Sequence, residues 1–514
     1  MIGFTRIFSA FLFLVSIAFG GAAAMPGAFA AEAERFAGEA QVGSQPPFPV
    51  HLELSRSAGA ATGTVSIPGG SFELVDAEGI DTIVGRFRGD GGSGTLTLRV
   101  EGNLLTGVFD LGGQPGTINA RRTPQSAEIF FRPPEQRLDL TTAQWLEDLD
   151  RLVEILTREH ASPFHRISRE KFEHEIGLVR AAIPELDGVE VALEFRKLGA
   201  LIGDGHTTIA LPQGRPRLPI EFYWFEDGLR VVDVSAAHRS LLGARLVAVN
   251  DLPATEITER LGAYISQGET QWFYRAAVPD LVNNPDVLHT IGVDAMPFTF
   301  TVETADGARS QVEIAAAAEA AERVALGDGA PLWQRNETQG FWSEWLDDGS
   351  LYVNWRSYEG LADHGAALLQ SLDAKHPRRL IIDLRDNDGG DYNVGRTFIE
   401  GIKSRPWLDQ AAVLYVMIGR KTFSAAMTNA VDFKNTTEAT LVGEPAGAAP
   451  NNWQEVRRFH LPNSSFRVGV STRHYEFLRG ESEVLPDLSV PPEPGDWGSL
   501  HDAGVRLVLG QPVP

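Results

Sequence analysis

Leu380-Ile381-Ile382-Asp383-Leu384-Arg385-Asp386-Asn387-Asp388-Gly389-Gly390 is a short apolar run that empties into a polar loop and a pair of glycines. A run of this length bounded by turn chemistry reads as a fully buried strand. The neighbouring text alternates in the same way: strand-like runs at Leu351–Trp355 and Ala412–Ile418 are interleaved with helical spacing over Ala362–Leu372, Val394–Lys403 and Ser424–Phe433. Such alternation predicts ββα or βαβ units on a mostly parallel sheet. In these sheets the reacting groups gather outside the carboxyl ends of the strands, so the two loops after 384 and 418 are the places to look for chemistry.

In the first loop, Gly389 and Gly390 let backbone N–H groups turn toward a ligand. Donors aimed at one spot stabilise the oxyanion of acyl transfer, each worth about 3–4 kcal/mol. A calcium loop fails on register, because Gly389 is too early and position twelve is Thr397. In the second loop, Gly419-Arg420-Lys421-Thr422-Phe423-Ser424-Ala425-Ala426-Met427 puts a serine at the start of a helix, where the dipole favours developing negative charge. A serine there also serves as an ordinary N-cap.

A serine nucleophile needs a base, usually histidine. Of 12 histidines, His206 stands apart, in a glycine turn between a helix and a strand: Leu201-Ile202-Gly203-Asp204-Gly205-His206-Thr207-Thr208. His174-Glu175 opens like a zinc-peptidase motif, but Leu178 occupies the second ligand position, so no metal site is expected.

Ahead of this core, Trp145, Leu149, Leu152, Ile155 and Leu156 recur at helical spacing after Leu140-Thr141-Thr142, and further helices are expected at Arg169–Ile183 and Val189–Ile202. Residues 216–312 read as β text (Ile220–Trp224, Leu229–Val234, Arg245–Val249, Phe298–Val302) with a helix at Thr255–Ile265. The segment around Leu241–Asn250 resembles a PDZ module, in which Gly228-Leu229 is either the carboxylate-binding loop or an ordinary turn. An Ala-rich helix is expected at Ala315–Ala325, followed by a core aromatic cluster of Trp342, Trp345, Tyr352 and Trp355. Phe36 to Arg132 is short alternating runs cut by glycine pairs such as Gly69-Gly70 and Gly91-Gly92, which predicts a small antiparallel sandwich or barrel. Pro133-Pro134 closes it.

The first thirty residues carry Arg6, the apolar run Ile7–Ala18 and Ala28-Phe29-Ala30, the form of a cleavable signal peptide rather than a membrane span. The 514 residues hold 45 Lys and Arg against 68 Asp and Glu, a net charge of −23, which would repel nucleic acid and anionic lipid. There is no cysteine, so disulfides, thiolate metal sites and a cysteine nucleophile are excluded.

Over residues 140 to 490 the chain resembles the C-terminal-processing (tail-specific) and tricorn-core family of serine peptidases. The resemblance is carried by Gly203-Asp204-Gly205-His206-Thr207, the Asp383-to-Gly390 run, Thr422-Phe423-Ser424-Ala425-Ala426, Gly443-Glu444-Pro445-Ala446-Gly447 and Pro486-Asp487. Behind the signal peptide 1–30 and the antiparallel β domain 31–135 read above, it implies the rest of a multidomain α/β and α+β chain: helical subdomain 136–213 ending in the His206 turn, PDZ-like domain 214–314 and a ββα crotonase-like serine peptidase core 315–514. It implies Ser424 as nucleophile, with Gly389 or Gly390 and the Ala425 amide as oxyanion hole. The family's serine–lysine dyad has no counterpart, since Ala448, Ala449 and Pro450 stand where the lysine would lie. The order His206, then Ser424, is similar to the tricorn style and implies His206 as general base. A supporting carboxylate is expected just before Pro486-Asp487, where Glu481 is preferred over Glu483; Glu444 and Asp204 are open to a structural role. The tricorn serine preceding the histidine is replaced by Gly205. The expected activity is secreted or periplasmic endopeptidase action on peptides or unfolded proteins without cofactor, nucleic acid or stable membrane insertion. The alternatives are a catalytically silent peptide-binding protein of the same fold and an esterase using the same nucleophile.

Overall fold

The computed structural model describes residues 33–511 apart from 44–46, 58, 69, 90–91, 133, 294–295, 318–322, 326–328, 498–499 and 501. The expected signal peptide, and Gly69, Gly91 and Pro133 of the expected turns, lie outside the described residues. The chain divides into two units, Met1–Pro134 and Glu135–Pro514.

In the first unit the strands β1 (Glu34–Val42), β2 (Phe48–Ser57), β3 (Ala60–Ile67), β4 (Gly70–Glu78), β5 (Thr82–Gly89), β6 (Gly92–Glu101), β7 (Leu104–Leu111) and β8 (Gln114–Arg122) form a closed barrel, followed by the short helix α1 (Ala127–Phe130). Each strand pairs antiparallel with the next, and β1 closes on β8 through Phe36↔Arg122 to Val42↔Gly116. Alternate side chains, Phe36, Leu52, Leu54, Ile83, Leu98 and Leu105 among them, fill the interior. Of the two architectures left open by the sequence, the barrel is the one formed, and closure removes the edge strands.

The second unit begins with α2 (Thr142–Arg158), α3 (Arg169–Ala182) and α4 (Gly188–Leu201). Thr141 with Gln144 and Asp187 with Glu190 form capping boxes at α2 and α4, each substitution of such a cap by Ala costing about 1 kcal/mol. Next come the two-residue β9 (Thr208–Ile209), then β10 (Ile220–Phe225), β11 (Gly228–Ser235), β12 (Arg245–Val249), β13 (Leu252–Pro253), α5 (Ala254–Leu261), α6 (Gln271–Val282), α7 (Pro285–Thr290), β14 (Phe298–Glu303), β15 (Arg309–Ile314) and β16 (Arg323–Ala325). They build a sheet in the order β10-β11-β12-β14-β15, with β13 on β12 and β16 on β11. Helix α6 has no counterpart in the sequence expectations because Pro279 lies inside it; burial of Val278, Leu281 and Val282 holds it together.

The remaining elements are β17 (Phe341–Trp345), β18 (Leu351–Trp355), α8 (Leu361–Ala374), β19 (Leu380–Asp383), α9 (Tyr392–Lys403), β20 (Leu414–Ile418), α10 (Ala425–Thr436), β21 (Thr440–Gly443), β22 (Asn451–His460), β23 (Arg467–Glu476), β24 (Leu488–Ser489) and α11 (Ala503–Leu509). The core sheet runs β17-β18-β19-β20-β21-β24 and is parallel apart from the β17–β18 hairpin. Its apolar strands pack under α8, α9 and α10. A separate sheet, β22-β23-β9, is a long hairpin that captures the chain after His206.

Two expectations are corrected. The Ala-rich helix at Ala315–Ala325 is not formed: Ala317 bridges Arg217, Arg323–Ala325 is a strand on β11, and 318–322 lie outside the described residues. Trp345 is not core but 37% exposed, with Lys375 Nζ 3.6 Å from its ring centroid, whereas Trp342, Tyr352 and Trp355 are buried. Strand alternation on β17 turns Trp342 inward and Trp345 outward. Among the described residues no helix is long and apolar enough to cross a membrane.

Candidate active site

At the end of β19 the chain is pinned before it turns. Asp383 accepts from the Tyr352 hydroxyl at 2.6 Å and from the Arg385 amide at 2.9 Å, and the Arg385 guanidinium spans to Asp502 at the cap of α11. Asn387 then ties three strands' ends together. Its Nδ2 donates to the Trp355 carbonyl at 2.8 Å, its Oδ1 accepts from Gly389 N at 2.9 Å, and its carbonyl accepts from Phe423 N at 3.0 Å. Gly389 has φ +110°, and a Cβ there would sit 2.5 Å from Ser424 Cβ. Only glycine allows both that conformation and that approach.

Ser424 occupies the junction of the β20 loop and α10 with φ 52° and ψ −128°. A non-glycine residue held there costs about 1–3 kcal/mol and persists only when its surroundings over-determine it. They do: Thr422 Oγ1 donates to Leu384 O at 2.8 Å, and Phe423 N is held by Asn387. The Ser424 side chain takes no helix amide, while its carbonyl accepts from Thr428 and the Phe423 carbonyl accepts from Ala426 and Met427. The Ala425 and Gly390 amides make no hydrogen bond among the described residues, whereas Gly389's is committed to Asn387. Of the two glycines named from the sequence, Gly390 therefore has the available N–H.

The His206 turn is built around buried Asp204. Its Oδ1 accepts from His206 N at 3.0 Å, Thr207 N at 2.8 Å and the Ser471 hydroxyl at 2.6 Å; its Oδ2 is 3.0 Å from His160 Nε2. His160 Nδ1 accepts from Ser162 N at 2.9 Å, so Nε2 carries the proton donated to Asp204. Burial works to raise the Asp204 pKa, but the bonds from His160, Ser471 and Thr207 hold it below the usual carboxylate range. Ser471 comes from β23, where it pairs with Val456 of β22.

The His206 imidazole stacks on Phe423 at 4.6 Å between centroids, tilted 31°. Both ring nitrogens are shielded from water, and among the described residues neither has a partner at full hydrogen-bond geometry. Burial pushes its pKa down to about 4 against the pull of Asp204 and of the Trp453 backbone, so the ring is neutral at pH 7. The structure thus brings His206 against the residue next to Ser424 without a His206–Ser424 hydrogen bond.

The sequence-named carboxylates are placed elsewhere. Glu481 has an exposed side chain and makes no bond to His206; its main chain is held in a turn by Leu478 and Asn451. The turn after the β22–β23 hairpin faces outward at this point, which is why the expected support for the imidazole is missing. Glu444 is buried in an ion pair with Arg420 at 2.5 and 3.1 Å, and also accepts from Tyr223 at 2.9 Å.

A carboxylate that carries no motif does reach the site. Glu269 accepts from Gly205 N at 3.0 Å and from Ala449 N at 2.8 Å. Burial raises its pKa to about 7 against those two bonds, and Asp204 adds to the rise. A lone Glu before a capping Thr gives no signal in a sequence. Gly205 is explained by the same packing, since a Cβ there would lie 2.8 Å from Glu269 Cγ and from Phe423 Cζ. No group of metal-ligating side chains is assembled among the described residues.

No family profile and no curated protein matches this chain. Solved structures do resemble it. Mature CPAF is 13% identical, with 69% of this chain and 94% of that chain covered and a TM-score of 0.49. The photosystem II D1 C-terminal processing protease is 14% identical over 69% of this chain and 94% of that one, at 0.35. Tricorn protease is 11% identical over 90% of this chain and 50% of that one, at 0.37.

Proposed function

We propose that the chain is a serine peptidase in which Ser424 attacks a peptide carbonyl, His206 takes its proton and later protonates the leaving amine, and the Ala425 and Gly390 amides receive the oxyanion. The observation that carries this reading is the backbone of Ser424, held at φ 52° at a strand-to-helix junction with its hydroxyl left free of any helix amide. Strain of that kind collects where a reacting group must be presented. A neutral imidazole at pH 7 is the form a general base requires. Unlike the family's usual arrangement, Glu481 is exposed, and no acid is assigned to the imidazole. Substrate is a peptide or unfolded protein, the 214–314 segment is the PDZ-like docking module, and export through the residue 1–30 signal belongs to the same proposal.

One observation favours the silent-binder reading: the imidazole nitrogens are shielded and, among the described residues, lack a partner at full hydrogen-bond geometry. Apo sites often tighten only with substrate, so labelling decides. Mass spectrometry after a fluorophosphonate probe should place an adduct on Ser424 that is lost in His206→Ala. Folded wild-type protein without an adduct would reject the peptidase reading and leave peptide binding as the activity to pursue.

A further inference from the structure

The segment Gly268-Glu269-Thr270 lies between the two loops that the reaction must bring together. On one side, Gly268 presses on the His206 turn so closely that a Cβ would overlap the Gly203 carbonyl oxygen, and Glu269 Oε1 accepts the Gly205 amide at 3.0 Å. On the other, Glu269 Oε2 accepts the Ala449 amide at 2.8 Å and Thr270 Oγ1 donates to the Gly447 carbonyl at 2.7 Å. That second loop is joined to the serine loop, with Ala448 N donating to Thr422 O at 3.4 Å and a Cβ on Gly447 overlapping the Arg420 carbonyl. A continuous path of contacts therefore runs from His206 through Glu269 to the residues beside Ser424.

We propose that Glu269 is a positioning residue whose two carboxylate oxygens set the separation between the His206 turn and the 446–449 loop, and so between the imidazole and Ser424. The inference rests on the peptidase reading above. The chemistry calls for a carboxylate: two amide N–H groups approach from opposite sides, and only an acid presents an acceptor to each without presenting a donor. Bonds from backbone N–H to an ionised acceptor are the strong kind. A glutamine would set its NH2 against one of the two amides and push a loop away. The charged and polar groups facing Glu269 are Asp204 from the His206 turn and the Asn452 side chain from β22. Ionisation near neutrality gives the role a pH signature, because a proton on either oxygen weakens the bond that oxygen accepts.

The test compares full-length wild type, Glu269→Gln and Glu269→Asp. It measures the rate of Ser424 labelling by a fluorophosphonate, kcat and KM on a peptide, the pH dependence of labelling, and the His206 imidazole resonances by NMR. In Glu269→Gln the labelling rate and kcat should fall about 100-fold, the cost of misplacing a reacting group by about an ångström, with KM unchanged. Wild type should show a step in labelling near pH 7, and Glu269→Gln should lack it. Glu269→Asp keeps the ionisation but loses the span, so it should lose rate and retain the step, which keeps the test alive if the glutamine variant does not fold. Rates and pH profiles that superpose on wild type would overturn the inference. A wild type that takes no label would overturn the peptidase reading instead. The imidazole resonances then decide for Glu269: a displacement in the variants supports positioning, and coincident spectra reject it.

Discussion

The imidazole of His206 lies 4.6 Å, centroid to centroid, from the ring of Phe423, the residue immediately before Ser424. Phe423 in turn stacks on Phe273 of α6 at 5.2 Å. Two loops more than 200 residues apart in the chain thus meet through an aromatic stack that ends one residue from Ser424.

The conformation of Ser424 yields the first prediction. Glycine occupies positive φ without penalty, whereas alanine does not. Ser424→Gly should stabilise the fold by about 1 kcal/mol or more and Ser424→Ala should leave stability near wild type, with labelling lost in both. Chemical denaturation of the three proteins checks this, and a glycine variant no more stable than the alanine one would mean the strain is not stored there.

Gly205 gives the second. A serine at this position, Gly205→Ser, drives a side chain into Glu269 Cγ and Phe423 Cζ, each 2.8 Å from the new Cβ. Overpacking of this kind costs about 1–3 kcal/mol, and the His206 turn should shift with it. A lowered thermal midpoint and slower labelling are expected. A gain in labelling would show that the turn has room for a serine side chain there.

Opposed pKa shifts give the third. His206 titrates at about 4 in the folded protein against an ordinary value of 6.5, so the stability it supplies is complete above pH 6.5 and is lost as pH falls toward 4. Glu269 titrates at about 7 against 4.5, so its contribution is present below pH 4.5 and lost as pH rises through 7. Between pH 4.5 and 6.5 the two slopes oppose each other. Removing one exposes the other: relative to wild type, Glu269→Gln should gain about 2 kcal/mol of unfolding free energy on going from pH 4.5 to 6.5. Parallel curves from urea titrations at the two pH values would count against the Glu269 assignment.

The Arg420–Glu444 pair gives the fourth. Both side chains are buried, Arg420 Nη1 also donates to the Trp224 carbonyl at 2.6 Å, and its guanidinium lies 4.2 Å from the Tyr223 ring centroid. Arg420→Met strands a buried carboxylate and should cost about 3–5 kcal/mol. The double variant Arg420→Met with Glu444→Leu should recover most of it, as a denaturation cycle would report. A double variant as damaged as the single would place the cost in lost packing instead.

Local text was enough for much of this molecule. The apolar period of two over 36–132 and of three to four over 142–201 reflects which face each element buries, and burial is a property each segment carries by itself. Ser424, Gly389, Gly390 and His206 stood out for the same reason, being glycine turns and strand ends that interrupt a period. Trp345 and the 315–325 stretch were misread because composition alone does not say which side of a strand meets the core, or whether alanines find a partner strand.

What only the tertiary structure decided is everything that depends on two distant segments touching. The β22–β23 hairpin delivers Ser471 to Asp204, α6 delivers Phe273 to Phe423, and the segment leading into α6 delivers Glu269 to Gly205 and Ala449. None of these has a local signature, because a hydrogen bond across 180 residues leaves no period in the chain. The sequence alone determined which elements form and which residues interrupt them. Their closure in space determined that Gly390 has the available amide, that Glu481 faces solvent, and that the acid bonded to the histidine turn from outside it is Glu269.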